Sequence, residues 1–260
     1  MRPGHNFPSP RGRGLAGGRC CVFILALLTI FAHRSATAAD PNTLWRIISQ
    51  QCVPNQREYG IPKPCEFVDL TAGYVVLKDI VGATQFLVMP TERIGGMEGA
   101  AILDPAKPNY WEFAWQARRF VDERAHRTLP RDAISLAINS VLGRTQNEMH
   151  IHVDCVRPDV QAAIRAHEKA IGTHWAPFPV RLVGHDYMAM RVDEPDLSHN
   201  NPFLLLANGS IAARHDMAHY TIVVVGDPKG FVLFAGRASP ATGNLGTGEE
   251  LQDHACALAH

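Results

Sequence analysis

Residues 143–155 read Gly143-Arg144-Thr145-Gln146-Asn147-Glu148-Met149-His150-Ile151-His152-Val153-Asp154-Cys155, a turn that feeds an extended segment. Successive side chains of a β-strand point to opposite faces. If Met149 to Val153 is a strand, Glu148, His150 and His152 share one face, and Met149, Ile151 and Val153 share the other. One face is apolar and belongs in a core; the other carries groups that move protons, ligate metals or attack electrophiles. Two imidazoles about 7 Å apart along a strand can meet one phosphate group, one metal ion or each other. The turn upstream adds Arg144, whose planar fork suits phosphate oxygens, and the neutral donors Thr145, Gln146 and Asn147.

Outward from this stretch, Ala133 to Asn139 alternates like a strand and Ser140 to Asn147 turns the chain back. The two strands are therefore expected to be antiparallel neighbours. Gly73 to Lys78 and Gln85 to Met89 are rich in β-branched and aromatic residues and are separated by a turn containing Gly82, which reads as a hairpin. Tyr220 to Val225 and Gly230 to Ala235, flanking Gly226-Asp227-Pro228-Lys229, read as a second one. One more strand is expected over Tyr187 to Val192. Helical spacing covers Leu44 to Gln51, Tyr110 to Val121 with Trp111 and Trp115 on the core side, and Val160 to Ile171, which Pro158 opens at its first turn. Another helix is expected within Pro202 to His219. The chain from Gln51 to Cys65, Gly95 to Pro108 and Ser239 to Glu250 read as loops. Hairpin, helix, strand pair, helix, strand, helix, hairpin predicts an α+β fold, a mainly antiparallel sheet flanked by helices.

Twenty-five basic and 25 acidic residues cancel, so the overall charge asks for no nucleic acid, and any anionic ligand must be recognised locally. The apolar fraction of 46% suits a chain with a real core. Arg2, Arg11, Arg13 and Arg19 precede the apolar run Cys20 to Ala32 and an Ala-x-Ala site at Ala36 to Ala38, the pattern of an export signal. The run is shorter than the ~20 residues that span a bilayer comfortably. Residues 1–39 thus read as a cleaved signal sequence or a retained membrane anchor, and either places the domain over 40–260 outside the cytoplasm. Cys52, Cys65, Cys155 and Cys256 remain, an even number in a compartment that permits disulfides. Three pairings are open. The proline- and glycine-rich loop between Cys52 and Cys65 favours a clasp there, and Cys155 with Cys256 would tie the tail to the end of the histidine strand. The spacings fit no zinc-finger pattern, and no Gly-x-x-x-x-Gly-Lys loop is present to bind a nucleotide in that manner.

Gly143 to Asn147 followed by His150-Ile151-His152 resembles the active-site strand of the histidine-triad superfamily, whose members cleave the α-phosphate bond of nucleotide derivatives. More closely, the chain resembles the CDP-diacylglycerol pyrophosphatase family, in Cys52-Val53-Pro54-Asn55-Gln56, Ala72 to Asp79, Ala114 to Arg118, Ser135 to Ser140, Cys155 to Val160, Gly184-His185 and Asp253 to Cys256. This resemblance implies a histidine-triad-like fold and hydrolysis of CDP-diacylglycerol to CMP and phosphatidate in phospholipid metabolism. It also implies no cofactor and no metal, and a place at the inner membrane facing the periplasm, with the membrane as a partner. By it, His150 is the nucleophile that becomes a covalent nucleotidyl-histidine, and His152 matches the third histidine. Asn139, Arg144, Thr145, Gln146 and Asn147 lie where substrate-phosphate contacts belong.

The first triad position holds Glu148, and a carboxylate there repels a diphosphate unless it is turned away or protonated. His185 is the next candidate outside the strand, as a site residue or a structural histidine beside a turn; Lys78 is a candidate or a hairpin charge. Two other function classes stay open. One is a metallohydrolase with His150, His152 and Glu148 or Asp154 as ligands; the other is a non-catalytic periplasmic binding module.

Overall fold

The computed structural model describes residues 40–260, and the export segment expected over 1–39 lies outside them. The strands are β1 (Phe67–Asp69), β2 (Tyr74–Lys78), β3 (Phe86–Pro90), β4 (Ile134–Ile138), β5 (Ile151–Val156), β6 (Ala176–Pro177), β7 (Met188–Val192), β8 (Tyr220–Gly226), β9 (Phe231–Arg237) and β10 (Gln252–Asp253). Among the described residues they form one sheet in the order β1-β2-β3-β5-β4-β8-β9-β7-β6, with β10 pairing β5. Every pairing is antiparallel. With its helices this is the expected α+β fold, and both hairpins and the β4–β5 pairing stand where the sequence puts them.

The histidine strand β5 lies inside the sheet, and His152 is opposite Leu87 of β3 on one side and Ala137 of β4 on the other. A slip of one residue on either side would exchange the histidines for Ile151 and Val153, so burial of one face fixes the register. That face, with Val88, Ile151, Val153, Leu136, Ile222 and Val224, packs under α3 (Tyr110–Ala125). Trp111 of α3 is wholly buried and meets Phe203 edge-on at 5.2 Å. Asn109 caps α3 by accepting from the Trp111 amide, which satisfies one of the donors a helix start leaves unpaired.

The opposite face is covered twice and left open between. On β2 and β3, Val75, Leu77, Leu87 and Met89 pack under α1 (Thr43–Ile47) and its continuation α2 (Val53–Tyr59). On β4, β8 and β9, Ala137, Val223, Val225 and Phe234 pack with Val160 and Ile164 of α4 (Pro158–His167). The polar side of β5, with His152 and Asp154 and with His150 just ahead of the strand, runs along the gap.

The N-terminal helix is longer than the sequence suggested. Instead of giving way to a loop after Gln51, the chain widens through a π-helical turn over Ile48–Cys52 and continues as α2 to Tyr59. Proline lacks a donor and its ring collides with the carbonyl four residues back, and a widened turn ahead of Pro54 relieves both. Gly60, at φ 66°, closes the helix in the left-handed conformation. β1 escaped the sequence reading because three residues carry too little alternation to register.

Both favoured disulfides are formed, Cys52–Cys65 and Cys155–Cys256, and they enclose 13 and 101 residues of separation. Loop-closure entropy makes the longer one worth more, about 4.7 against about 3 kcal/mol. Paired Cys→Ser substitutions should therefore lower the denaturant midpoint more at Cys155/Cys256 than at Cys52/Cys65, and equal shifts in urea melts would contradict the ranking.

Candidate active site

The gap on the sheet face deepens into a cavity of about 320 Å³. His150, His152, Thr145, Gln146, Glu249 and His254 supply its polar wall, and Leu44, Ile47, Leu77 and Leu87 an apolar one. The polar wall descends from β5 and the loops at its ends; the apolar wall is the edge of the α1 cover.

His150 is buried with Nδ1 2.6 Å from the backbone oxygen of Glu148. A carbonyl only accepts, so this partner assigns the proton to Nδ1 and leaves a lone pair on Nε2. Burial and the neighbouring His152 ring push the His150 pKa down to about 4, against the pull of the carbonyl and of Glu249. The ring is therefore neutral at physiological pH.

His152 meets His150 edge-on, with ring centroids 4.9 Å apart. Its Nδ1 is 3.0 Å from Glu249 Oε2 and 2.5 Å from the side-chain amide of Gln85. The Gln85 atom at this distance is Nε2, so Nδ1 of His152 lies between an amide nitrogen and a carboxylate oxygen. Burial opposes ionisation of Glu249, but the bonds from His152 and Asn139 outweigh it and hold its pKa down to about 2. Asn139 also accepts from the Glu249 amide at 3.3 Å, so it acts on the site through Glu249.

Asp154, wholly buried on the same strand face, accepts from Thr84 Oγ1 at 2.6 Å and bonds His254 Nδ1 at 2.9 Å. The bond to Asp154 raises the His254 pKa, with burial working against it.

The other sequence candidates are placed variously. Thr145 and Gln146 line the cavity, but both ends of the Gln146 amide are used: Oε1 accepts from Leu44 N at 3.1 Å and Nε2 donates to Asp40 O at 3.0 Å. Asn147 donates from Nδ2 to Asn42 Oδ1 at 3.3 Å, and its amide bonds Pro41 O at 2.7 Å. Both residues fasten the start of α1 to the turn that leads into β5. Arg144 forks onto the Glu98 carboxylate, lying so close over Gly96 that a Cβ there would strike the guanidinium. Its charge reaches His150 and helps to lower that pKa. His185 sits outside the cavity with Nε2 3.6 Å from Glu250 Oε2. Lys78 lies on the cavity rim and donates to Asp79 O at 2.7 Å and Gly82 O at 2.9 Å.

Glu148 departs from the expected shared face: it lies ahead of β5, in an isolated antiparallel bridge to Gly95. Its carboxyl does not line the cavity; Oε1 accepts from Ile94 N at 3.3 Å and Oε2 has no partner among the described residues. Burial pushes its pKa up to about 8, so it is turned aside and protonated at neutral pH. The metal-ligand set of His150, His152 and Glu148 or Asp154 does not converge, since Glu148 is outside the cavity and Asp154 is taken up by Thr84 and His254. Among the described residues no group of three His, Cys, Asp or Glu is arranged to hold a metal ion.

Glu249 and His254 had no part in the sequence-derived site. Glu249 lies in a 3-10 turn of a segment that reads only as loop, and nothing in the local sequence marks it. His254 was traceable: it stands two residues before Cys256 as Asp154 stands one before Cys155, so the disulfide brings the two side by side.

The arrangement offers a neutral ring nitrogen in a cavity with a second, carboxylate-oriented imidazole beside it, the equipment for nucleophilic attack on a phosphorus centre. A family model described as CDP-diacylglycerol pyrophosphatase matches residues 39–260.

Glu148 gives a pH test of this geometry. Its folded pKa lies above the ordinary 4.5, so between about 4.5 and 8 the unfolded chain releases a proton that the folded chain keeps. Stability from this group is thus complete below 4.5 and falls as pH rises to 8. Glu148→Gln should flatten that slope and stabilise the protein at pH 8 by on the order of 4 kcal/mol. Urea melts of both proteins across this range decide it, and an unchanged slope would refute the buried neutral acid.

Proposed function

The chain belongs to the CDP-diacylglycerol pyrophosphatase family, hydrolases acting on a phosphoric anhydride, and from that premise we propose that it cleaves its lipid substrate through a covalent nucleotidyl intermediate on His150. The observation that carries this reading is the His150 ring, neutral, held at Nδ1 by the Glu148 carbonyl and placed in the cavity wall. Nε2 forms a bond to the cytidylyl phosphorus, the bond from that phosphorus to the bridging oxygen breaks, and phosphatidate departs with the electron pair. Water then attacks the same phosphorus, the P–N bond returns its pair to Nε2, and CMP is released. His152, held at Nδ1 by Glu249, stands edge-on beside His150 and keeps the attacking ring in place. Thr145 is the phosphate contact among the five upstream polar residues; Arg144 contributes field, Asn139 orients Glu249, and Gln146 and Asn147 hold the cavity's cover.

The reading extends to a site of action at the outer face of the inner membrane. No helix of the described residues is long and apolar enough to cross a membrane. The cavity rim instead carries Ile80, fully exposed, and Val81, half exposed, on the turn between β2 and β3. Apolar side chains beside a phosphate-handling cavity suit a substrate whose tails stay in the bilayer.

His150→Ala should lose roughly 10³-fold or more in turnover, and a brief substrate pulse should leave a CMP adduct on His150 of the wild-type protein, seen by peptide mass spectrometry. In oxygen-18 water a single turnover should label CMP and spare phosphatidate; label confined to phosphatidate would contradict attack at the cytidylyl phosphorus. For the rim, Ile80→Asp should slow hydrolysis of CDP-diacylglycerol in vesicles roughly tenfold and leave hydrolysis of CDP-glycerol, the deacylated substrate, unchanged. Equal rates on vesicles would remove the rim from lipid contact.

A further inference from the structure

The histidine strand is not the only source of imidazole in the cavity. His254 reaches it from the chain's tail, and four separate attachments hold it there. Its Nδ1 bonds Asp154 Oδ2 at 2.9 Å, and Asp154 is locked in turn by Thr84. Asp253 beside it pairs with Cys155, and Cys256 two residues on is disulfide-bonded to the same Cys155. Its backbone oxygen accepts from Ala83 N at 3.1 Å, and its Cβ lies 3.0 Å from where a Cβ on Gly82 would stand. A side chain needed only for stability has no reason to face a cavity with one nitrogen unused. His254 is one-third exposed, and its Nε2 makes no hydrogen bond among the described residues.

We infer that His254 is a catalytic residue of the reaction proposed above, the acid that gives a proton to the departing phosphatidate oxygen and the base that then takes one from water. The inference rests on that reading for the identity of the leaving group. As the anhydride P–O bond breaks, the bridging oxygen keeps the electron pair and receives the proton of Nε2, leaving His254 neutral. In the second step that neutral nitrogen accepts a proton as the water oxygen bonds to phosphorus and the P–N bond to His150 breaks. Each cycle returns His150 neutral and His254 charged.

Placement within the cavity agrees with this division. His254 stands against Gly82 on the turn that also carries Ile80 and Val81, so it occupies the side of the cavity at which the lipid half of the substrate leaves. The charged groups facing it are Asp154 from β5, Glu249 from the preceding turn, Asp79 from the β2–β3 turn and Lys78 at the rim. Three of the four are acids and favour the imidazolium, and its pKa is raised while that of His150 is depressed. Titratable groups pushed apart in this way divide into nucleophile and acid.

The test compares two substrates. With CDP-diacylglycerol, His254→Gln should lose roughly 10²–10⁴-fold in kcat. With the p-nitrophenyl ester of CMP, whose nitrophenolate leaves without a proton, the same variant should release one equivalent in a burst near the wild-type rate and then turn over slowly. Wild-type kcat on the lipid would overturn the inference, and so would an equal loss on both substrates with no burst. A merely structural role is separated by Asp154→Asn, which should move the descending limb of the kcat–pH profile to lower pH; an unmoved limb would also overturn it. His150→Ala run in parallel keeps the two readings apart, because a burst that survives in that variant defeats the nucleophile assignment and not the acid.

Discussion

Everything in this molecule depends on the pairing of β5 between β3 and β4. Antiparallel neighbours on both sides fix which way each side chain of the strand faces, and the apolar residues Ile151 and Val153 under α3 leave only one solution. His150, His152 and Asp154 then fall on the other face by necessity. Two apolar clusters cover that face, one under α1 and α2 and one under α4, and the cavity opens at the edge of the first, beside the histidines. The reactive groups thus sit on rigid backbone within a partly dry enclosure, where electrostatic interactions count for more than they would in water.

The same enclosure sorts the titratable groups. Glu148 and His150 are both driven to their neutral forms by burial, whereas Glu249 stays ionised because His152 and Asn139 supply enough donors to overcome the desolvation cost. A diphosphate approaching this site meets no carboxylate at the first triad position. The departure from three histidines is therefore compatible with phosphate chemistry, because Glu148 at neutral pH is an uncharged acid bonded to the Ile94 amide.

The fold could be read in the sequence wherever alternation ran for five residues or more. β2, β3, β4, β5, β7, β8 and β9 and the long helix α3 all announce themselves that way, and β1 and the continuation through Pro54 do not. The candidate site was legible where its residues are contiguous: Thr145, Gln146, His150 and His152 line the cavity. It was not legible where tertiary bonds decide. Arg144, Gln146 and Asn147 have the donors a phosphate wants, but Glu98, Asp40, Leu44 and Asn42 have already engaged them, and no local pattern records those partners. Glu249 and His254 arrive from about a hundred residues away, carried by a turn and a disulfide.

The two bonds of the Gln146 amide have a consequence for traffic through the cavity. Together with the Asn147 contacts they staple the start of α1 to the turn that leads into β5, while Cys52–Cys65 clamps the far end of the same helical cover. A cover fixed at both ends cannot swing aside as a door without breaking several bonds at once. The way in and out is left to the opposite rim, where the β2–β3 turn exposes Ile80, so passage of a long-chain molecule through the cavity is one-sided.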